Sequence, residues 1–201
     1  MLGRIYKKML ETQISRYKVP NCIAVMLSSK DLAGDGSRLT WYMVEWCGSL
    51  GVDKLVLCAS ESDPAAVLSL KEDLKDVPAD ILVHTFEGET FRLGQGGPIK
   101  LEISVGYGGR QEVAEVVASV LKKVGSGNVE PEEIDEEMIE FELRIKAKPD
   151  LVIQAGGRRL SDFMIWQTAY SEIYFAGDCL KEVDFLRAIR DYQRRERRFG
   201  K

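Results

Sequence analysis

The sequence predicts an α/β domain, with a mainly parallel central sheet of about six strands flanked by helices. Short apolar runs at 23–27, 55–58, 81–84, 101–105 and 151–153, and a further strand at 173–175, alternate with stretches whose apolar residues recur at helical spacing. The runs are continuously apolar rather than alternating, as suits strands covered on both faces. A chain of 201 residues, 45% of them apolar, is large enough for one full core, so 1–201 is expected to form a single domain.

Leu2, Ile5, Tyr6, Met9 and Leu10 predict an amphipathic opening helix over 2–17. Its polar face mixes acids with lysines, so packing onto the domain is expected ahead of lying on a membrane. Pro20 ends that region and the strand at 23–27 follows. Ser37 is placed to cap a helix that buries Leu39, Met43, Trp46 and Leu50 and stops at Gly51. After the strand at 55–58, Pro64 opens a helix to about Lys75, marked by Val67, Leu70 and Leu74. The strand at 81–84 leads into EGETFRLGQGGPIK, where Gly94, Gly96 and Gly97 have no helix after them. Phosphate-binding glycine motifs need that helix, so a plain turn or hairpin is predicted.

Val113, Val116, Val117, Val120, Leu121 and Val124 mark a strongly periodic helix stopped by Gly125. Pro131 fits the first turn of another, whose acidic start (Glu130, Glu132, Glu133) reads as a solvated face complementing the helix dipole. The final helix, from about Leu180 to Arg197, buries Phe185, Leu186, Ile189 and Tyr192 and exposes Arg187, Arg190, Arg194, Arg195 and Arg197.

Composition excludes several function classes. A net charge of −4 supplies no basic field for nucleic acid. No apolar run approaches a membrane span, and 1–8 has no apolar signal core behind it. Cys22, Cys47, Cys58 and Cys179 lie far apart without C-x-x-C spacing, so buried free thiols in a reducing cytosol are expected. His84 is the only histidine, which removes histidine metal sites and Ser-His triads and leaves it a structural role.

The chemistry concentrates in 149–175, PDLVIQAGGRRLSDFMIWQTAYSEIYF. A strand runs into a glycine turn carrying Arg158, Arg159 and Ser161, then an apolar segment with Phe163, Ile165 and Trp166, then a second strand. Backbone N–H groups and guanidinium forks at such a turn suit a phosphate or diphosphate. On residues alone, a solvated turn is an equal reading.

This segment resembles the signature of the cis-prenyltransferases, the undecaprenyl and dehydrodolichyl diphosphate synthase family, whose pattern is close to P-D-L-L-I-R-T-S-G-E-x-R-L-S-N-F-L-L-W-Q-x-A-Y-S-E-L-Y-F. WCGSLGVDKLVLCAS and GYGGR resemble the family's W-C-x-x-L-G-V-x-x-L-T-L-Y-A-F-S and N-Y-G-G-R, and the start of the chain is similar to archaeal-type members. The resemblance implies that Arg159 and Ser161 grip isopentenyl diphosphate and that Glu172 helps hold magnesium. Phe163, Trp166, Tyr170 and Phe175, with Asp162 and Gln167, belong to the structural and dimer-forming part. The resemblance also implies that a C-terminal R-x-G, here Arg198 and Gly200, reaches into the neighbouring subunit's site and binds diphosphate there.

The departures are as informative. Family enzymes follow the first strand with D-G-N-x-R, whose aspartate is catalytic. Ser28 stands in its place, and a hydroxyl cannot supply its charge. Asp31 is displaced by three residues, roughly 10 Å of extended chain. The family's first diphosphate-gripping arginine is Gln154, and the turn after it is one residue shorter and lacks its glutamate. Ser60-Glu61 keeps part of S-x-E-N-W-x-R-P without the tryptophan and arginine, and the helical wall of the isoprenoid tunnel is reduced to one short helix.

Together these features resemble the accessory subunit of heteromeric cis-prenyltransferases, the Nogo-B receptor type. The expected function is a non-catalytic subunit with no catalytic residue in its own site. It would pair with a catalytic homologue that makes long-chain polyprenyl diphosphate from isopentenyl and allylic diphosphates. Magnesium would be bound mainly by that partner, and the location would be cytoplasmic, with peripheral membrane contact left open. A self-sufficient homodimeric enzyme with divergent motifs is the second reading, and a scaffold without a role in catalysis the third.

Overall fold

The computed structural model describes residues 2–27, 37–59, 64–156, 164–177 and 180–195. Its chain order is α1 (Leu2–Ile14), β1 (Cys22–Leu27), α2 (Ser37–Leu50), β2 (Lys54–Ala59), α3 (Pro64–Asp73), β3 (Ala79–Thr85), β4 (Thr90–Leu93), β5 (Ile99–Val105), α4 (Gly109–Gly125), α5 (Glu136–Glu142), β6 (Leu151–Gln154), β7 (Glu172–Phe175) and α6 (Glu182–Arg194). The strands form one sheet in the order β4-β3-β5-β2-β1-β6-β7. Every pairing is parallel except β3 with β4. This is the predicted α/β architecture with seven strands in place of about six. The additional strand is β4, which comes from the stretch predicted as a turn or hairpin and does form a hairpin with β3. Gly94 and Gly97 serve that hairpin, since a Cβ on either would fall 2.3 Å from the backbone oxygens of Ala79 and Pro78.

Continuous apolar sequence gives strands buried throughout: all six residues of β1 are buried. Side chains then divide by parity. Ile23, Val25, Leu55, Leu57, Ile81, Val83, Leu101, Ile103, Leu151 and Ile153 face one large core completed by Leu10, Ile14, Met43, Cys47, Leu70, Phe185 and Ile189 from α1, α2, α3 and α6, and by Leu74 just after α3. On the opposite face, Cys22, Ala24, Met26, Val56, Cys58 and Val152 pack against Ile145, Ala147 and Met164. Beyond these, Val116 and Val120 of α4 meet Leu143, Met138, Ile139 and Trp166. Burying an aliphatic side chain such as Leu10 or Ile14 contributes roughly 1.5–3 kcal/mol. These two are fully buried, so α1 is held by the domain, as its mixed polar face implies.

Several predicted boundaries shift. α1 ends at Ile14 rather than 17, and Gln193 of α6 donates to the carbonyls of Ile14, Tyr17 and Lys18 (3.1, 3.1 and 3.3 Å), satisfying groups a helix end leaves open. The helix expected from Pro131 is divided: Pro131–Glu133 is a 3-10 turn, and α5 begins after Asp135, whose carboxylate accepts from Met138 N at 2.8 Å. An N-cap carboxylate is a stronger start signal than a proline alone. α6 ends at Arg194, so the predicted extension to Arg197 stops short within the described residues.

His84 is structural, as expected. It is 3% exposed, with Nε2 at 3.1 Å from Glu102 and Nδ1 at 3.2 Å from Thr90. Lys54 holds the other Glu102 oxygen at 2.8 Å. Burial raises the Glu102 pKa, but the hydrogen bonds from His84 and Lys54 outweigh it and hold the carboxyl below its ordinary value. Cys22, Cys47 and Cys58 are buried free thiols, and Cys179 lies outside the described residues.

Candidate functional site at the carboxyl ends of the strands

The chain runs outward from β1 to β2 and β3, returns with β5, and then crosses to β6 on the other side of β1. This reversal makes β1 and β6 the topological switch point, and in open parallel sheets the ligand crevice lies there, outside the carboxyl ends of the strands. Ser28 directly follows β1, and 157–163 follows β6 after Ala155 and Gly156. Parallel pairing brings the carboxyl ends of these strands to the same edge: Met26 is in register with Gln154, and Gln154 with Phe175. Ser28, Arg158, Arg159, Ser161 and Phe163, like Arg198 and Gly200 of the tail, lie outside the described residues, so their expected roles rest on sequence.

Gln154 is described, and it is 7% exposed at the crevice. Its Nε2 donates to the Ala155 carbonyl at 2.9 Å, while Oε1 is buried with no partner among the described residues. A neutral amide thus occupies the position where the resemblance places an arginine.

The GYGGR turn ends β5 at the same edge. Gly106 sits at φ 71° and donates to the Ala59 carbonyl at 2.7 Å, joining the ends of β5 and β2. Tyr107 is 3% exposed and donates its hydroxyl to Glu115 at 2.6 Å, and the Arg144 guanidinium lies 4.3 Å from its ring centroid. Burial first, and then the Glu115 hydrogen bond, push the phenol pKa up, so Tyr107 remains a donor. Gly109 touches the recognised segment directly: a Cβ there would lie 2.9 Å from Met164 N and 3.0 Å from Ile165 N. Met164 itself has φ 42°, a left-handed conformation uncommon for a non-glycine residue. The two motif segments are thus locked backbone to backbone.

Glu112 completes this lock and was not singled out by the sequence. It is 2% exposed; Oε1 accepts from the backbone N–H groups of Arg144 (2.9 Å) and Ile145 (3.0 Å), and Oε2 accepts from Gln167 Nε2 at 2.9 Å. Its signal was present in the spacing, since Glu112, Val116 and Val120 recur every four residues and share the inward stripe of α4.

Glu172, the expected magnesium residue, opens β7 in register with Leu151, at the amino end of the strand pair. Three residues separate it from Phe175 at the crevice, roughly 10 Å at about 3.3 Å per residue. Its carboxylate is engaged by Arg195 at 2.8 Å, and Arg195 also binds Asp191 at 2.6 Å. This corrects the assignment of Arg195 to a merely solvated helix face: the chain turns out of α6 there and brings the guanidinium back to the sheet edge. No cluster of three metal-ligating side chains occurs among the described residues. No step below runs through a metal ion.

The expected interface residues divide. Tyr170 and Phe175 are 81% and 45% exposed. Trp166 is half-buried and lines an apolar groove of about 230 Å³ with Val116, Val117, Val120, Leu121 and Ile139. Val117 and Leu121 are 50% and 61% exposed there, and Ile165 is 48% exposed nearby in sequence.

A mostly parallel sheet with its switch point between β1 and β6 defines an α/β protein whose candidate ligand site is that crevice. The family described as “Putative undecaprenyl diphosphate synthase” matches residues 66–200, and the chain belongs to it. The tritrans,polycis-undecaprenyl-diphosphate synthase (geranylgeranyl-diphosphate specific) of Methanocaldococcus jannaschii is 30% identical, over 98% of this chain and 89% of the relative. The enzyme of the same name from Archaeoglobus fulgidus is 31% identical over 96% of each chain. The structure of lavandulyl diphosphate synthase from Lavandula x intermedia superposes with a TM-score of 0.71 at 23% identity, covering 91% of this chain and 99% of that one, and shows the shared fold. The match to the Methanocaldococcus enzyme spans 249 positions, at least 48 more than the 201 residues present here (249 − 201), so parts of that enzyme have no counterpart in this chain.

Proposed function

We propose that the chain is the non-catalytic subunit of a heteromeric cis-prenyltransferase. It pairs with a catalytic homologue that joins isopentenyl diphosphate to an allylic diphosphate, and it donates Arg198 and Gly200 to that homologue's site. The observation that carries this reading is Gln154: at the switch point a buried amide, already spent on its own backbone, stands in the place of a guanidinium. It cannot balance a diphosphate, and Ser28 cannot supply the charge of the missing aspartate. The single ten-residue helix between β2 and β3, and the hairpin between β3 and β5, leave little material for a tunnel wall. The apolar stripe of α4 with Trp166, Ile165 and Tyr170 supplies a pairing surface. Magnesium belongs mainly to the partner's site in this reading, and the complex works in the cytoplasm.

A second reading has its own support. The named relatives are synthases, and they align with nearly the whole chain. A homodimeric enzyme with divergent motifs would share that likeness. The deciding experiment measures magnesium-dependent incorporation of labelled isopentenyl diphosphate by the pure chain and by the chain with a catalytic homologue from the same source. Turnover by the complex alone, reduced on the order of a hundredfold by Arg198→Ala while pairing persists, is expected. Robust turnover by the pure chain would establish the homodimeric enzyme instead.

A further inference from the structure

A second basic site lies on the sheet face covered by α1 and α6, outside the crevice described above. Gln13 in the last turn of α1, Arg16 and Tyr17 just beyond it, and Arg190, Gln193 and Arg194 at the end of α6 line an open depression of about 440 Å³, with no carboxylate among the described residues of its wall. Arg190, Gln193 and Arg194 have the spacing i, i+3, i+4 and share one face of α6, while Gln13 lies in the last turn of α1 with Arg16 and Tyr17 in the turn that follows, and the packing of α1 on α6 sets the two groups side by side.

The arginines here differ from their neighbours. Arg187 is paired with Asp184, and Arg195 with Asp191 and Glu172. Arg16, Arg190 and Arg194 form no ion pair among the described residues, although the chain as a whole carries a net charge of −4. Helix C-termini favour cations, which could account for one arginine at each end. That explanation is weakened at α1, because Gln193 already takes the carbonyls of Ile14, Tyr17 and Lys18. Three like charges held together in a concave site raise one another's energy unless an anion joins them.

We propose that this depression binds a phosphate group, a phosphomonoester or diphosphate, through the forked guanidinium groups of Arg16, Arg190 and Arg194. The surface beside it favours a phosphate carried on a lipid. Ile5 and Met9, 65% and 42% exposed, precede Gln13 at four-residue steps along α1, and Tyr17, 68% exposed, lies in the turn after the helix. An apolar stripe leading to a phosphate pocket matches the acyl and headgroup layers of a membrane surface.

Backbone amide NMR of the full-length chain, titrated with inorganic diphosphate, reads the site directly. Saturable shifts are expected in 13–18 and 190–195, weakened at least about tenfold by Arg190→Gln with Arg194→Gln. They should be retained in Lys100→Gln with Lys122→Gln, which removes the same charge from distant exposed positions. Should the double variant fail to fold, Arg194→Gln alone, on an exposed side chain, carries the comparison. Vesicles of phosphatidylcholine with phosphatidic acid identify the source. Co-sedimentation that depends on Arg190 and Arg194 shows a lipid-borne phosphate, and amide shifts without co-sedimentation show a free one. The proposal is overturned if 13–18 and 190–195 do not respond, if the arginine variants bind as wild type does, or if the lysine control loses as much.

Discussion

On one face of the sheet, α1, α2, α3 and α6 press Leu10, Met43, Leu70 and Phe185 onto strand residues that are apolar in turn. On the other face, the described structure buries two carboxylates, Glu102 and Glu112, each with its hydrogen-bond donors in place. The first arrangement stabilises by area and tolerates repacking. The second is directional: a carboxylate holding two backbone N–H groups and a side-chain amide permits essentially one placement of α4, 144–145 and 164–167. The wired face is also the one whose outer surface carries the exposed apolar stripe, so the geometry it fixes is that of a surface to be presented.

This contrast can be tested from its largest effect downward. Phe185→Ala should cost about 3–5 kcal/mol in denaturant unfolding, since it empties a fully buried site. A loss below about 1 kcal/mol would show that the first face is not a continuous core. Glu112→Ala should cost about 2–3 kcal/mol by stranding the N–H groups of Arg144 and Ile145. It should also disturb the backbone amides of 164–167 in NMR spectra, which a loss of stability alone would leave in place.

An alkaline titration tests both faces at once. Burial pushes the Cys22 and Cys47 thiols up to about 12 from an ordinary 9.0. A raised folded pKa means that the unfolded chain ionises first, so this contribution to stability is complete below pH 9 and is lost as pH climbs from 9 toward 12. Denaturation midpoints should fall over that window, and Cys47→Ala should flatten the fall. An unchanged slope in the variant would exclude Cys47 as its source. Leu121→Asp is expected to do least to the isolated chain, within about 0.5 kcal/mol for an exposed position, yet to weaken pairing with the catalytic homologue at least about tenfold. Ultracentrifugation that found normal pairing would remove the α4 stripe from the interface.

The sheet was legible because continuous Val, Ile and Leu runs admit little else, and α4 because six apolar residues keep one helical stripe over three turns. β4 reads only as a hairpin arm: Thr-Phe-Arg-Leu is short, half-exposed and hemmed by glycines, so its register comes from β3 rather than from its own pattern. The split at Pro131–Glu133 depended on Asp135 competing as a cap, a local contest that acidic composition hides. At the site, the departures from the family motif at Ser28 and Gln154 stand in the sequence itself. The Glu112 lock and the arginine depression do not, because each depends on contacts between residues far apart in the chain, across thirty or more positions in one case and most of its length in the other. Glu172 was matched by motif, but strand polarity, which only pairing reveals, sets it at the opposite end of the sheet from Gln154.

The packing of α1 on α6 has a consequence for how the chain comes into being. Helix α1 buries Leu10 and Ile14 partly against Phe185, Ile189 and their neighbours, which are synthesised some 170 residues later. At about 5–20 residues per second, α1 waits roughly 9–34 s for them. A nascent chain would therefore carry α1 with its apolar stripe incompletely covered until α6 emerges, and the two helices would be among the last pieces to settle on the sheet.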